Sequence, residues 1–254
     1  MNIALSIAGT DPTGGAGLQA DLRTFKSMGV YGLGIPSVLT AQNTEGVSEI
    51  FDFPSDFFAL QLDILLKDIS PDAVKTGMLY TADIVGVAVD KIKEFSLKNL
   101  VVDPVAVSST GVSLIKESAL EAMRNNLFPI ARVITPNVYE ASLFTGVDIK
   151  NQEDMKKAAV RLRESGPGTV IITGGHLKGG ALDLLFDGKD FLSLENERLE
   201  GDYHGTGCVF SSAVAACLAL GYDVREAAVK AKEFVWKAMK SAVSIGKGMK
   251  ILNF

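Results

Sequence analysis

Short apolar runs rich in β-branched residues, each closed by a glycine or proline loop, alternate along the chain with longer runs of helical period. This alternation restricts the fold more than any other feature. NIALSIAG (2–9), DAVKTG (72–77), NLVVDPV (99–105), ARVITPN (131–137) and GTVIITGG (168–175) read as strands. NLVVDPV is apolar almost throughout, the pattern of a strand buried on both faces in a parallel sheet. GLGIPSVLT (32–40), despite Pro36, and VSEIFDF (47–53) read as further strands, and 181–195 as a hairpin turning at DGK. Helical spacing marks 16–29, 55–69, 81–95 with Thr81 as its cap, 118–128, 138–145, 151–164, 207–220 and 224–246. Repeated β-then-α units predict an α/β fold: a mostly parallel central sheet with helices on both faces. No Pro- or Ser-rich linker, low-complexity tract or internal repeat interrupts the pattern, so one domain over residues 1–254 is expected.

In open sheets of this kind ligands bind beyond the carboxyl ends of the strands. The loops there are GTDPTGGAG (9–17), TAQNTEG (40–46), TGM, DPV, TPN and TGGH. The first has neither GxGxxG nor GxxxxGK[ST], so it is either a plain turn or a wall where backbone approaches a ligand closely. Asp21, one helical turn further on, either faces water or anchors a substrate hydroxyl. The late loop HGTGC (204–208) runs into an apolar helix. Free N–H groups at a helix start, with their partial positive charge, form an anion site, and Gly205 and Gly207 would let those amides approach a phosphate around Thr206. The same position would lower the pKa of the Cys208 thiol. Cys208 is then a base, a nucleophile or a small buried residue, whereas Cys217 inside AVAACLAL reads as core. His176 and His204 are not placed by sequence as imidazole partners, and His204 reads equally as orienting the loop. There is no metal-ligand Cys/His spacing and no disulfide framework.

With a net charge of −5, the chain has no global electrostatic reason to bind nucleic acid. MNIALSIAGT lacks a basic n-region, and no apolar run reaches membrane-spanning length. A cytoplasmic protein without membrane or nucleic-acid partners is the expectation.

IAGTDPTGGAGLQADLRTFKSMGVYG, LTAQNTEGV, VKTGML, VVDPV, ITPNVYEASLFTG, TGGH and HGTGCVFSSAVAA together resemble the hydroxymethylpyrimidine/phosphomethylpyrimidine kinases of thiamin biosynthesis, in order over essentially the whole chain. The resemblance implies a three-layer α/β/α ribokinase-like fold, commonly dimeric. It implies ATP- and Mg2+-dependent phosphorylation of 4-amino-5-hydroxymethyl-2-methylpyrimidine and then of its monophosphate. On that resemblance Gly9, Asp21, Gln42, Met78 and Val105 line the pyrimidine pocket, the Gln42 amide pairing with the aminopyrimidine edge. Asn137 and Glu140 lie near Mg2+ and the nucleotide phosphates, Asp103 helps through a water, and Lys232 reaches the phosphates. Gly205, Thr206, Gly207 and Cys208 stabilise the transferring phosphoryl group, with Cys208 as the base where other superfamily members carry aspartate.

Two departures bear on the second phosphorylation. Many members read KGGH where this chain has Thr173 in TGGH, in contact with the nucleotide, and many read DPVMVAKSG where it has DPVAVSSTG. Both changes remove a lysine suited to a dianionic acceptor. The competing readings are a pyridoxal/pyridoxine kinase of the same branch and a non-catalytic pyrimidine-binding protein.

Overall fold

The structure, a computed structural model, describes residues 1–107, 114–175 and 181–254. The strands are β1 (Ile3–Ala8), β2 (Tyr31–Pro36), β3 (Leu39–Asn43), β4 (Gly46–Phe51), β5 (Ala73–Thr76), β6 (Leu100–Val102), β7 (Val133–Ile134), β8 (Thr169–Thr173), β9 (Ala181–Phe186), β10 (Phe191–Asn196), β11 (Tyr203–His204) and β12 (Lys250–Ile251). The helices are α1 (Gly17–Ser27), α2 (Ser55–Asp68), α3 (Ala82–Glu94), α4 (Glu117–Ala122), α5 (Val138–Thr145), α6 (Gln152–Glu164), α7 (Thr206–Ala219) and α8 (Val224–Lys240). Eight strands form the central sheet in the order β10-β9-β8-β7-β6-β5-β1-β2. From β2 through β8 every pairing is parallel, and β9 runs against both its neighbours.

Side-chain alternation builds the three layers. Leu5, Ile7, Val74, Leu100, Val102, Ile134, Val170, Ile172 and Leu184 point into one core with α2–α6. Ala4, Ala73, Val101, Val133, Ile171 and Leu185 point the other way, into a second core with α1, α7 and α8. Ile134 is fully buried, and its truncation to alanine should cost about 2–5 kcal/mol. α7 is buried along nearly its whole length, which explains why AVAACL carries no polar face and why Cys217 sits in the core.

Several boundaries differ from the sequence reading. The run 32–40 is not one strand. β2 ends at Pro36, on the sheet edge where a missing N–H is tolerated, and β3 pairs with β4 as a separate antiparallel hairpin. TAQNTEG is thus largely a hairpin flap, not an open loop. The helix expected at 118–128 passes at Met123–Leu127 into a π turn and at Phe128–Ile130 into a 3-10 turn holding Pro129. α8 stops at Lys240, and the chain turns back so that Val243 and Ile251 bridge and the Met249 amide donates to Thr44 of the flap. Thr81 caps α3 as expected, accepting from the Ile84 amide.

The strand order reverses at β1: the chain steps outward to β2, then returns to β5 on the other side. That switch point opens a crevice beyond the carboxyl ends of β1 and β5. No helix among the described residues is long and apolar enough to cross a membrane.

Candidate active site

Two glycine loops meet over the crevice, backbone against backbone. Asp11 organises the first by accepting from the Thr13 amide at 2.9 Å and the Ala16 amide at 2.8 Å. Gly205, at φ +79°, caps α7 in the left-handed region, and a Cβ there would run into the Gly15 carbonyl. Only glycine meets both demands. The N-terminus of α7 has no side-chain cap and no acidic residue in its first turn. The first-turn amides of Thr206, Gly207 and Cys208 therefore lack intrahelical partners. Gly207 is exposed, and a Cβ built on it would meet nothing within 4 Å. This is an open anion cradle.

Beneath the cradle lies a buried charge chain. Lys75 and Asp21 are both fully buried and paired at 2.8 Å. Asp21 also accepts from Ser6 at 2.5 Å and from Ser212 at 2.5 Å. This corrects the expectation that Asp21 lines the pocket, since its carboxylate is closed off and saturated by Lys75 and two hydroxyls. Lys75 extends to Asp103 at 4.0 Å, and Asp103 accepts from Ser211 at 3.0 Å. Burial pushes the Asp103 carboxyl up, against the pull of Lys75 and Ser211. The lysine itself is held above the ordinary lysine range: burial works against its charge, but Asp21, Cys208 and Asp103 more than offset this.

Cys208 is half-buried. Its thiol is not lowered as the helix start alone suggests. Burial pushes it up to about 12, and Asp103 and Asp21 add to this, outweighing Lys75 and the hydrogen bond from the Gly17 amide. Desolvation of the sulfur, helped by the two carboxylates, overcomes half a helix charge. The thiol is therefore protonated at neutral pH.

Asn137 and Glu140 form a capping box at the start of α5. Glu140 accepts from the Asn137 amide at 2.9 Å and the Ala106 amide at 3.2 Å. Burial, then Asp103, pushes its carboxyl up to about 8. Among the described residues no group of three or more His, Cys, Asp or Glu could hold a metal alone. Asp103 and Glu140 nevertheless fit Mg2+, which commonly takes one or two carboxylates and completes its shell with substrate phosphates and water. A dication would offset the burial that raises both carboxyls and the repulsion that Glu140 feels from Asp103.

Gly9, just past the end of β1, meets apolar side chains. A Cβ on Gly9 would press on Val38 at 3.0 Å and on Met78 Sδ at 3.1 Å. Val38, Met78 and Leu114 form a small apolar cluster against which Val105 and the flap residues Val47 and Ile50 pack. Gly9, Met78 and Val105 are thus brought together, and Gln42 stands above them on the flap, 3.1 Å from His204. His204 is held by Asp11 at 2.8 Å, so it orients the loop and does not pair with Cys208.

At the end of β8, Thr173 forms a bridge with Asn137. Lys232 is only 12% exposed, and its Nζ pairs with Asp183 at 2.8 Å. Asp183 also accepts from the Gly174 amide at 3.0 Å, which sets Lys232 beside Thr173. It is an anchored cation, not the solvated helix charge its sequence context suggests. His176 and the SST stretch that replaces the family's lysine lie outside the described residues.

Sequence reasoning missed Lys75, Asp11, Ser211, Ser212 and Asp183. Lys75 carried a readable signal, because a lysine inside the apolar run AVKT requires a buried counter-ion. Asp183 carried none, since aspartate in a hairpin strand is ordinarily solvated.

A family model of phosphomethylpyrimidine kinases matches residues 11–253. The thiamine biosynthesis bifunctional protein of Geobacter sulfurreducens is 44% identical over 96% of this chain, which spans 50% of that longer protein. The hydroxymethylpyrimidine/phosphomethylpyrimidine kinase of Aquifex aeolicus is 40% identical over 99% of this chain and 100% of its own. The crystal structure of an ADP complex of Bacillus subtilis pyridoxal kinase superposes with a TM-score of 0.92 at 41% identity, covering 100% of this chain and 97% of that one. The interlocked glycine loops and the carboxylates under an open helix start therefore have a family setting: the chain belongs to the phosphomethylpyrimidine kinase family, within the ribokinase-like superfamily.

Proposed function

We propose that this chain transfers the γ-phosphoryl group of ATP to the hydroxymethyl group of a small nitrogen heterocycle of the vitamin B1 or B6 type. The open, uncapped start of α7, set between an apolar ring pocket and a pair of buried carboxylates, carries the reading. The amides of residues 205–208 would stabilise charge on the phosphoryl group in flight. Mg2+ at Asp103 and Glu140 would neutralise the nucleotide phosphates. Lys75 offsets the charge of Asp21 and Asp103 beneath the cradle, and Lys232 and Thr173 flank the nucleotide. Because the Cys208 thiol is protonated at rest, it can act as the base only after releasing its own proton to solvent, and positioning and electrostatics supply more of the rate than proton removal.

Two rings fit. The whole-chain likeness to a pyridoxal kinase favours pyridoxal or pyridoxine. The Gln42 amide, with one acceptor and one donor, favours 4-amino-5-hydroxymethyl-2-methylpyrimidine. Its monophosphate is the weaker acceptor here, because Thr173 supplies no charge for it. A homodimer is supported by the exposed apolar stripe Phe57, Leu60 and Ile64 on α2 beside Phe51 of the flap. The deciding experiment is ATP-dependent ADP release with the pyrimidine alcohol, its monophosphate and pyridoxal side by side. Turnover of either alcohol supports the kinase reading and names the ring. Binding of a ring without ADP release would leave a non-catalytic binding protein instead.

A further inference from the structure

We propose that Asp11 and His204 form a positioning pair that fixes which way round the Gln42 amide stands, and with it which end of an aminopyrimidine faces the phosphoryl cradle. The inference rests on the aminopyrimidine reading of the pocket.

Four contacts meet at one ring nitrogen and one hydroxyl. His204 Nε2 lies 2.8 Å from Asp11 Oδ2 and 3.1 Å from the Gln42 amide. Thr40 Oγ1 lies 2.8 Å from the Thr10 carbonyl and 3.2 Å from the other amide atom of Gln42. Asp11 is a carboxylate: burial pushes its carboxyl up, but His204 and Thr13 outweigh this and hold it below its ordinary value. It can only accept, so His204 Nε2 carries the proton. His204 is buried, and its Nδ1 has no partner among the described residues. A bare lone pair there is cheaper to bury than an N–H, which agrees with the same tautomer.

The orientation of Gln42 follows. With its NH2 toward His204, two N–H groups would face each other. Thr40, which has one proton, would have to donate it to both the Thr10 carbonyl and the Gln42 oxygen. Turning the amide over removes the facing N–H groups and leaves the Thr40 proton to the Thr10 carbonyl, while the single His204 Nε2 proton is then shared between Asp11 Oδ2 and Gln42 Oε1. Gln42 Oε1 then accepts from His204 Nε2–H, and its NH2 donates to Thr40 Oγ1. The amide thus presents its acceptor on the side of His204, next in the chain to Gly205, and its donor on the side of Thr40.

An aminopyrimidine read by this amide places its exocyclic amine against Oε1 and its ring nitrogen against NH2. In 4-amino-5-hydroxymethyl-2-methylpyrimidine the hydroxymethyl group is adjacent to that amine, on the side away from the ring nitrogen. The amide orientation therefore turns the reacting hydroxyl toward the 205–208 cradle. The opposite orientation would turn the 2-methyl end toward it. His204 and Asp11 act through Gln42 and touch no reacting atom.

The test has two arms. On the unmodified protein, 15N NMR of the imidazoles should find His204 protonated at Nε2; with two histidines in the chain, one variant assigns the signals. A proton on Nδ1 alone would overturn the proposal, whatever the substrate proves to be. In kinetics, His204→Leu should raise KM for the pyrimidine alcohol roughly tenfold or more while KM for ATP stays within about twofold, and His204→Gln, which restores an N–H toward Asp11, should recover much of the loss. If both variants shift the two KM values and Tm together, the pair is merely structural and the inference fails. Absence of pyrimidine turnover in the unmodified protein would instead refute the substrate reading, and the tautomer measurement still decides the positioning pair.

Discussion

Replacing Glu140 with glutamine should make the stability of the free protein less dependent on pH. Glu140 is buried beside Asp103, its two oxygens accept two backbone amides, and its carboxyl is pushed up to about 8. The unfolded chain ionises this group near its ordinary value of about 4.3. Between those values the unfolded state has released a proton that the folded state keeps. The stabilisation is therefore complete below about pH 4 and is lost as pH rises through about 8, by up to about 1.4 kcal/mol per pH unit. From pH 5 to pH 8 this amounts to roughly 3–4 kcal/mol from one side chain. Glutamine has no such proton, but its NH2 faces one of the two amide donors, a pH-independent cost of about 1–3 kcal/mol. In urea denaturation without nucleotide or Mg2+, Glu140→Gln should be the less stable protein at pH 5 and should draw level with or pass the wild type by pH 8, with m unchanged. Parallel stability curves over that range would refute the assignment of a buried, raised carboxyl at this position.

Four further outcomes follow from the same geometry. In a Cys217→Ser background, alkylation of Cys208 by iodoacetamide should still accelerate beyond pH 9, since the thiol is pushed up to about 12; a plateau by pH 8 would contradict its environment. Cys208→Ala should lower kcat strongly and leave ATP binding intact, and unchanged turnover would reduce the cysteine to a packing residue. Lys75→Met strands Asp21 and weakens the restraint on Asp103, and should cost about 3–5 kcal/mol in chemical denaturation, against less than 1 kcal/mol if the pair were energetically idle. Thr173→Lys, beside Asn137 and the Lys232–Asp183 pair, should raise turnover of the pyrimidine monophosphate relative to the alcohol; an unaltered ratio would mean that this position does not meet the acceptor phosphate.

Much of this molecule is legible as sequence because its periods are local. The alternation in IALSIA and TVIIT fixes strands and faces, and Thr81 and the Asn137/Glu140 pair announce helix starts through their own backbone amides. HGTGC announces its cradle for the same reason: a left-handed glycine before an apolar helix has few other uses. What was hidden depends on partners distant in sequence. Asp21 looks like a surface or ligand residue until Lys75 and Ser212 arrive from other elements to close it off. The helix start predicts a lowered Cys208 thiol, and only the fold buries the sulfur and brings Asp103 and Asp21 near it, which reverses the sign. TAQNTEG has loop composition, and its hairpin depends on pairing with residues beyond the turn and on the C-terminal segment that meets Thr44.

The central claim is that the open start of α7 holds the phosphoryl group during transfer, and Gly207 tests it most directly. It is exposed in the first turn of α7, and a Cβ added there has no atom within 4 Å beyond its chain neighbours and its own helix backbone. Gly207→Val should therefore fold with stability within about 1 kcal/mol of the wild type, because replacing a helical glycine offsets the cost of the β-branch. The new methyl groups would stand where the phosphoryl oxygens approach the amides, and ATP-dependent turnover of the alcohol should fall by about 100-fold or more. A Gly207→Val protein of native stability that phosphorylates its substrate at the wild-type rate would contradict the account.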